Sequence, residues 1–194
     1  MEKRAMVVFS SVCGNTFLVA RAFERALIRR GLLVSLKQVE NPDYAYFASQ
    51  FETGREFQEE ISKVGIATPS DLLSADFICF GSPTYFGNMS GAMKRFFDAT
   101  APYWTEGKLS GKICVAFTTA GNREGGAHLC LQAIRTCACH LGMILLPFPA
   151  QIMADSLQPA YGLVHYSGDM ASDRPDRLVN DSVERWVDWS LKFL

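Results

Sequence analysis

The sequence predicts an α/β fold: a doubly wound, five-stranded parallel sheet with strand order 2-1-3-4-5, in one domain over residues 1–194. Three observations predict it. Short apolar runs alternate with helical patterns along the whole chain, which implies parallel strands joined by right-handed crossovers. Two of those runs pass directly into loops rich in hydroxyl, amide and glycine residues that then open helices. No repeat, low-complexity segment or linker divides the 194 residues, of which 48% are hydrophobic, so one core can form. In a sheet of this order the ligand crevice lies beyond the carboxyl ends of strands one and three. Both loops belong there.

The elements follow in order. Ala5-Met6-Val7-Val8-Phe9 is a buried run and makes strand one. The first helix spans residues 16–30 and stops at Gly31. Residues 33–39 alternate as strand two and end at the turn Asn41-Pro42-Asp43. Tyr44, Phe47, Ala48 and Phe51 recur at helical spacing and predict a short helix. Thr68-Pro69-Ser70-Asp71 is a helix start, with Pro69 suited to the first turn. Strand three is residues 77–80; Gly81-Ser82-Pro83 breaks it, a loop follows through Asn88, and the third helix spans residues 90–100. Residues 112–118 form strand four, 127–141 the fourth helix, ended by Gly142, and 143–148 strand five, closed by Pro147 and Pro149. From residue 181 to 194, Val183, Val187, Leu191 and Leu194 share one face of a last amphipathic helix. Residues 151–177 are the one long irregular stretch. Tyr161, His165 and Tyr166 interleave there with glycine, so it is expected to pack against a neighbouring subunit.

Composition excludes several classes. A net charge of -1 offers no basic field for nucleic acid and falls short of the acidic surface of a small electron carrier. No apolar run reaches the roughly 18 to 20 residues of a membrane span. Met1-Glu2-Lys3-Arg4 leads into a strand without a signal-peptide pattern, so a cytoplasmic location is expected. Of six cysteines, Cys79 and Cys114 fall on buried strands and Cys130, Cys137 and Cys139 on a helix, the distribution of reduced thiols. Cys137-Ala138-Cys139-His140 resembles a metal cluster in letters, but on a helix Cys137 and Cys139 point to different faces. No metal site is expected. Nor does any serine or cysteine sit in a nucleophile elbow, and no catalytic side chain is expected.

The first loop, Ser11-Val12-Cys13-Gly14-Asn15-Thr16, has neither a Gly-x-Gly-x-x-Gly pattern nor a Walker lysine. It offers two hydroxyls, an amide, a permissive glycine and successive backbone N–H groups entering a helix. That set can hold a phosphate monoester by hydrogen bonds and helix dipole, with no cation required. The same residues also suit an ordinary helix cap. The second loop, Pro83-Thr84-Tyr85-Phe86-Gly87-Asn88, combines aromatic, hydroxyl and glycine residues at a strand's carboxyl end, where a planar ligand can lie.

These motifs carry a resemblance. Residues 11–16 resemble the phosphate loop of flavodoxin-like proteins, which hold the ribityl phosphate of FMN. Residues 81–98, with Trp104, Gly107, Leu109 and Gly111-Lys112, resemble the NAD(P)H:quinone oxidoreductases of the tryptophan-repressor-binding-protein type. So do Thr118-Thr119-Ala120-Gly121-Asn122 through Gly125-Gly126, His140-Leu141-Gly142-Met143, and Ala160-Tyr161-Gly162 followed by Ser167-Gly168-Asp169.

The resemblance implies an FMN enzyme that passes two electrons from NAD(P)H to a quinone and assembles as a homotetramer, with sites completed across interfaces. Residues 11–16 would hold the phosphate. Pro83, Thr84, Tyr85, Phe86, Gly87 and Asn88 would lie beside the ribityl chain and isoalloxazine. Thr118, Thr119, Ala120, Gly121 and Asn122 would meet the flavin's polar edge, largely through backbone. His140 would approach the ring, and Trp104 would wall the pocket where nicotinamide or quinone stacks. Without the resemblance, His140 reads as a helix-end cap and Trp104 as a core residue. Two other readings stay open: a flavin or metal-chelate reductase, and a one-electron carrier or binding module without NAD(P)H turnover. The chain departs from the pattern at Cys13, where the quinone oxidoreductases tend to carry an aromatic. That thiol is either a reactive group at a helix amino terminus or a space-filler. Arg123-Glu124 also interrupts a loop that is usually richer in glycine.

Overall fold

In the computed structural model, which describes residues 2–153 and 155–194, the apolar runs become one parallel sheet wrapped by helices. The first half of the chain contains β1 (Arg4–Phe9), α1 (Asn15–Arg29), β2 (Leu33–Gln38), α2 (Tyr44–Ser49) and α3 (Gln58–Ser62). Next come β3 (Phe77–Tyr85), β4 (Asn88–Met89), α4 (Gly91–Asp98) and α5 (Ala101–Thr105). The rest is β5 (Ile113–Ala120), α6 (Ala127–His140), β6 (Ile144–Leu145), β7 (Leu163–Tyr166) and α7 (Arg177–Ser190). The order across the sheet is β2-β1-β3-β5-β6, with β7 also on β5 and β4 folded back on β3.

All eight positions of β5 are buried, as a strand covered on both faces requires. α1 and α7 cover one face of the sheet, α4 and α6 the other, each over its own apolar cluster. On the first face Phe23 stacks on Phe117 at 5.0 Å between centroids. Trp186 is fully buried beside them, its indole N–H donating to the Pro147 carbonyl at 2.8 Å. Each such side chain contributes about 1.5 to 3 kcal/mol by burial.

Three expectations are corrected. First, β3 does not break at Gly81 but continues to Tyr85. A Cβ on Gly81 would lie 2.0 Å from the Phe117 ring, so this glycine admits a neighbour's side chain into the sheet face. Pro83 falls beyond the end of the β1 ladder at Phe9, so the N–H it lacks has no partner to miss. β3 then turns through Phe86 (φ 50°) and Gly87 (φ 73°) into β4, the positive-φ pair of a tight hairpin.

Second, the fifth place in the expected 2-1-3-4-5 order is filled by two strands, and with β4 the sheet has seven. β6 pairs with Ile113 and Cys114, and β7 with residues 117–120. Pro147 and Pro149 end the first segment, the chain leaves the sheet, and it returns fifteen or so residues later, as short crossovers between elements permit. Third, residues 151–177 are not irregular throughout. They contain β7, and Gln158, Val164, His165 and Ser167 are buried against their own chain.

Smaller differences follow local chemistry. The last helix begins at Arg177, four residues early, because the Asp176 carboxylate accepts from the Val179 amide at 3.0 Å. The start at Thr68 opens a 3-10 turn, Pro69–Ser74, through a capping box between Thr68 and Asp71. Among the described residues, no helix is long and apolar enough to cross a membrane.

Candidate functional site

The carboxyl ends of β1, β3, β5 and β7 converge on one pocket. The first loop forms its floor. Ser10 is tied to the sheet by its amide, which donates to the Gly81 carbonyl at 2.9 Å. The Ser11 hydroxyl accepts from the Phe17 amide at 3.2 Å and caps α1 from inside. Gly14 sits at φ 90°, and a Cβ there would come 2.2 Å from the Phe57 ring. Only glycine meets both conditions. Among the described residues, the amides of Val12, Cys13, Gly14, Asn15 and Thr16 have no protein acceptor. They form the open amino terminus of a fifteen-residue helix. The buried Asn15 donates its amide to the Ala171 carbonyl at 2.8 Å, while its Oδ1 has no partner among the described residues.

Hydroxyl pairs lock the strand ends behind this floor. The Thr16 and Thr119 hydroxyls meet at 2.8 Å, joining α1 to β5. Thr118 gives its proton to the Ser82 carbonyl at 2.7 Å, so Thr84, 2.8 Å away, donates to Thr118. The Ser82 hydroxyl accepts from the Ser90 amide at 2.8 Å and orients the start of α4. Burial pushes the Tyr85 phenol up to about 12, with the Cys13 thiol adding to it, so Tyr85 stays protonated and acts only as donor or stacking surface. Burial also raises Cys13, against a Thr53 hydrogen bond and the Arg174 charge. Its thiol is therefore not activated as a nucleophile.

The structure brings most of the sequence-predicted residues together. Ser11, Val12, Cys13, Asn15 and Thr16 line the pocket, Pro83, Thr84 and Tyr85 form one wall, and Thr119, Ala120 and Gly121 form another. Thr118 is fully buried behind that wall. Phe86, Gly87 and Asn88 form the hairpin tip instead of the lining, with Phe86 wholly exposed. The Asn122 amide turns to Asp169 at 2.8 Å. Trp104 and His140 lie elsewhere. They share a second pocket with Phe97, Cys137 and Leu141, between α4, α5 and α6. Trp104 lies on the short α5 and is 58% exposed.

Sequence reasoning missed Phe51, Ser167, Gly168, Asp169 and Ala171 as lining. Ser167-Gly168-Asp169 stood out as a motif, but the strand that delivers it, Leu163-Val164-His165-Tyr166, was hidden inside a stretch read as irregular. Its run of β-formers was the available signal.

Residues 5–156 match the NADPH-dependent FMN reductase family. The chain belongs to that family. NAD(P)H dehydrogenase (quinone) 3 of Rhizobium meliloti is 32% identical over 148 residues, 75% of this chain and 66% of that protein. NAD(P)H dehydrogenase (quinone) of Archaeoglobus fulgidus is 34% identical over 146 residues, 75% of this chain and 76% of that one. The chain thus spans about two thirds to three quarters of these relatives. A flavodoxin, WrbA-like protein from Agrobacterium tumefaciens superposes with a TM-score of 0.65 at 18% identity, with 100% of both chains covered, and the fold is flavodoxin-like. The FMN reductase match ends before β7, so the 167–171 wall of the pocket lies outside it.

Proposed function

We propose that this chain is an FMN-dependent oxidoreductase that carries two electrons from NAD(P)H to a quinone, with FMN seated at the strand ends. The observation that carries the reading is the amino terminus of α1. Its free amides and helix dipole suit a phosphate dianion, and the unpartnered Asn15 Oδ1 beside them can accept from a hydroxyl of the attached chain. A phosphate monoester on a polyhydroxyl chain is what this donor and acceptor set fits. Family membership and the names of the quinone dehydrogenase relatives support the acceptor.

When bound, FMN supplies the redox chemistry, taking a hydride equivalent from nicotinamide and passing two electrons on. The chain's own residues place and shield it. Residues 11–16 take the phosphate. Pro83, Thr84 and Tyr85 flank the ribityl chain and ring. Backbone groups of residues 119–121 face the polar edge, where fixed dipoles stabilise negative charge without reorganising. Tyr85 holds its proton throughout. Trp104 and His140, apart from this pocket within one chain, reach a neighbour's flavin in a homotetramer. The enzyme works in the cytoplasm.

Reconstitution tests the reading. Apoprotein should take up FMN, turn yellow, and oxidise NAD(P)H rapidly with benzoquinone as acceptor. Rapid turnover with free flavin or a ferric chelate, and none with benzoquinone, would move the acceptor to those classes. Protein that rejects FMN sinks the proposal. Light scattering that finds only monomer at full activity sinks the tetramer.

A further inference from the structure

We propose that Arg174 is a positioning residue for the phosphate loop, holding the Cys13–Gly14 peptide so that the loop's amides face the pocket and setting a positive charge behind them. The inference rests on the FMN reading and concerns a residue that does not itself line the pocket.

Arg174 Nη1 donates to the Cys13 carbonyl at 2.7 Å and to the Ala171 carbonyl at 3.2 Å. Its Nη2 pairs with Glu56, and its guanidinium lies over the Phe57 ring, 5.0 Å from the centroid. Phe57 is the ring that fills the space beside Gly14. One cation therefore joins three segments around the pocket: the first loop, the stretch at residues 56–57, and the 167–171 wall. The arrangement uses the planar fork of arginine, which can address two carbonyls and a carboxylate at once.

In a trans peptide the C=O and N–H vectors are antiparallel. With the Cys13 carbonyl held by Arg174, the Gly14 N–H points to the opposite side, away from the guanidinium. Gly14 at φ 90° is the residue at which this peptide could otherwise turn over. A reversed peptide would aim a carbonyl at the phosphate and replace attraction with repulsion. The second grip, on Ala171, steadies the carbonyl that also accepts from Asn15.

Among the described residues, no lysine or arginine lines the pocket itself. Arg174 adds positive charge behind the amides, offset in part by its pairing with Glu56, and, being outside the pocket lining, it leaves the phosphate oxygens to them. A positioning role of this kind acts on the phosphate end of the ligand and leaves the ring end alone.

The experiment is titration of apoprotein with FMN and with riboflavin, for the parent, Arg174→Met, Arg174→Lys and Glu56→Gln, with thermal melts of each apoprotein. Arg174→Met should lose about thirtyfold or more in FMN affinity, the scale of a charge-assisted contact, while riboflavin affinity stays within a factor of about three. Arg174→Lys keeps the charge and loses the fork, so it should recover part of the loss. Glu56→Gln should show the smallest effect. Inorganic phosphate should compete with FMN on the parent and weakly on Arg174→Met. The inference is overturned if Arg174→Met keeps the parent's FMN-to-riboflavin ratio, or if both affinities fall together. If Arg174→Met does not fold, Arg174→Lys decides, and an unchanged ratio in it overturns the inference. A parent that binds riboflavin as tightly as FMN refutes the phosphate site itself.

Discussion

The pocket at the strand ends is lined largely by backbone, hydroxyls and a protonated phenol, whereas the pocket between α4, α5 and α6 is lined mainly by Phe97, Trp104, Cys137 and Leu141, with His140, Asp98 and Thr100 at its polar side. In the first, each wall is fixed by a buried or partly buried hydrogen bond: Thr16 to Thr119, Thr84 to Thr118, Asn15 to Ala171. In the second, the main feature is a more than half-exposed indole on a five-residue helix. Preorganised polar walls suit a ligand held through many turnovers. An open apolar surface suits a ligand or a neighbour that arrives and leaves. Substitutions should therefore separate retention at the first pocket from turnover at the second.

The largest effect is expected at Gly14→Val. The left-handed backbone and the Phe57 ring 2.2 Å from the new Cβ leave no room for a branched side chain. FMN affinity should fall more than about a hundredfold, the combined loss of several loop contacts, as read by flavin fluorescence quenching. Thr16→Ala removes the hydroxyl shared with Thr119 at the helix start. It should cost about 2 kcal/mol in FMN binding, roughly thirtyfold, with riboflavin little affected. Equal losses for both ligands would take the phosphate out of this loop.

At the other pocket, Trp104→Ala should leave the fold and FMN affinity intact and lower kcat/KM for benzoquinone about tenfold, the worth of one aromatic contact. Unchanged turnover in the folded variant would strip the second pocket of its role. Unfolding would make Trp104 structural, against its exposure.

The smallest effect concerns pH. Burial holds the His165 imidazole below its usual pKa, against the Asp173 carbonyl contact and the nearby Asp176 and Asp173 charges, with Arg174 adding to the depression. The unfolded chain then binds the proton more tightly than the folded one. His165 favours the fold fully above its ordinary pKa, and that contribution is lost as pH falls toward the lowered value. A modest drop in Tm on acidification, flattened in His165→Gln, is the expected result. An equal slope in both proteins would remove His165 from the account.

Most of the first pocket was legible because its signals are local. Strand one and strand three are buried runs, and Gly14, Asn15 and Thr16 announce a helix opening on a ligand. What was not legible depends on distant partners. Gly81 looks like a strand breaker until the Phe117 ring, brought in from β5, is seen to need its missing Cβ. Pro147 and Pro149 mark where a strand stops, but nothing near them marks its resumption at Leu163. Arg174 lies in a polar stretch with no periodicity, and its meaning comes only from the Cys13 carbonyl 161 residues earlier. Trp104 was expected to wall the first pocket, but within one chain it lies on α5 beside His140, and only the packing of α4, α5 and α6 shows that.

The division of the fifth sheet position has a consequence for the behaviour of this protein at high concentration. A continuous outer strand would present a ladder of unsatisfied amides and carbonyls, ready to recruit the same strand from another molecule. Here that border is cut into pieces of two and four residues. The opposite border, β2, is blunted differently. Residues 65–67 bond to Gln38 at its end, and Lys37 is tied to Asp71 at 2.7 Å. Neither margin offers a long, flat template, so the sheet resists edge-to-edge fibre growth even though its central strands are among the most apolar segments of the chain.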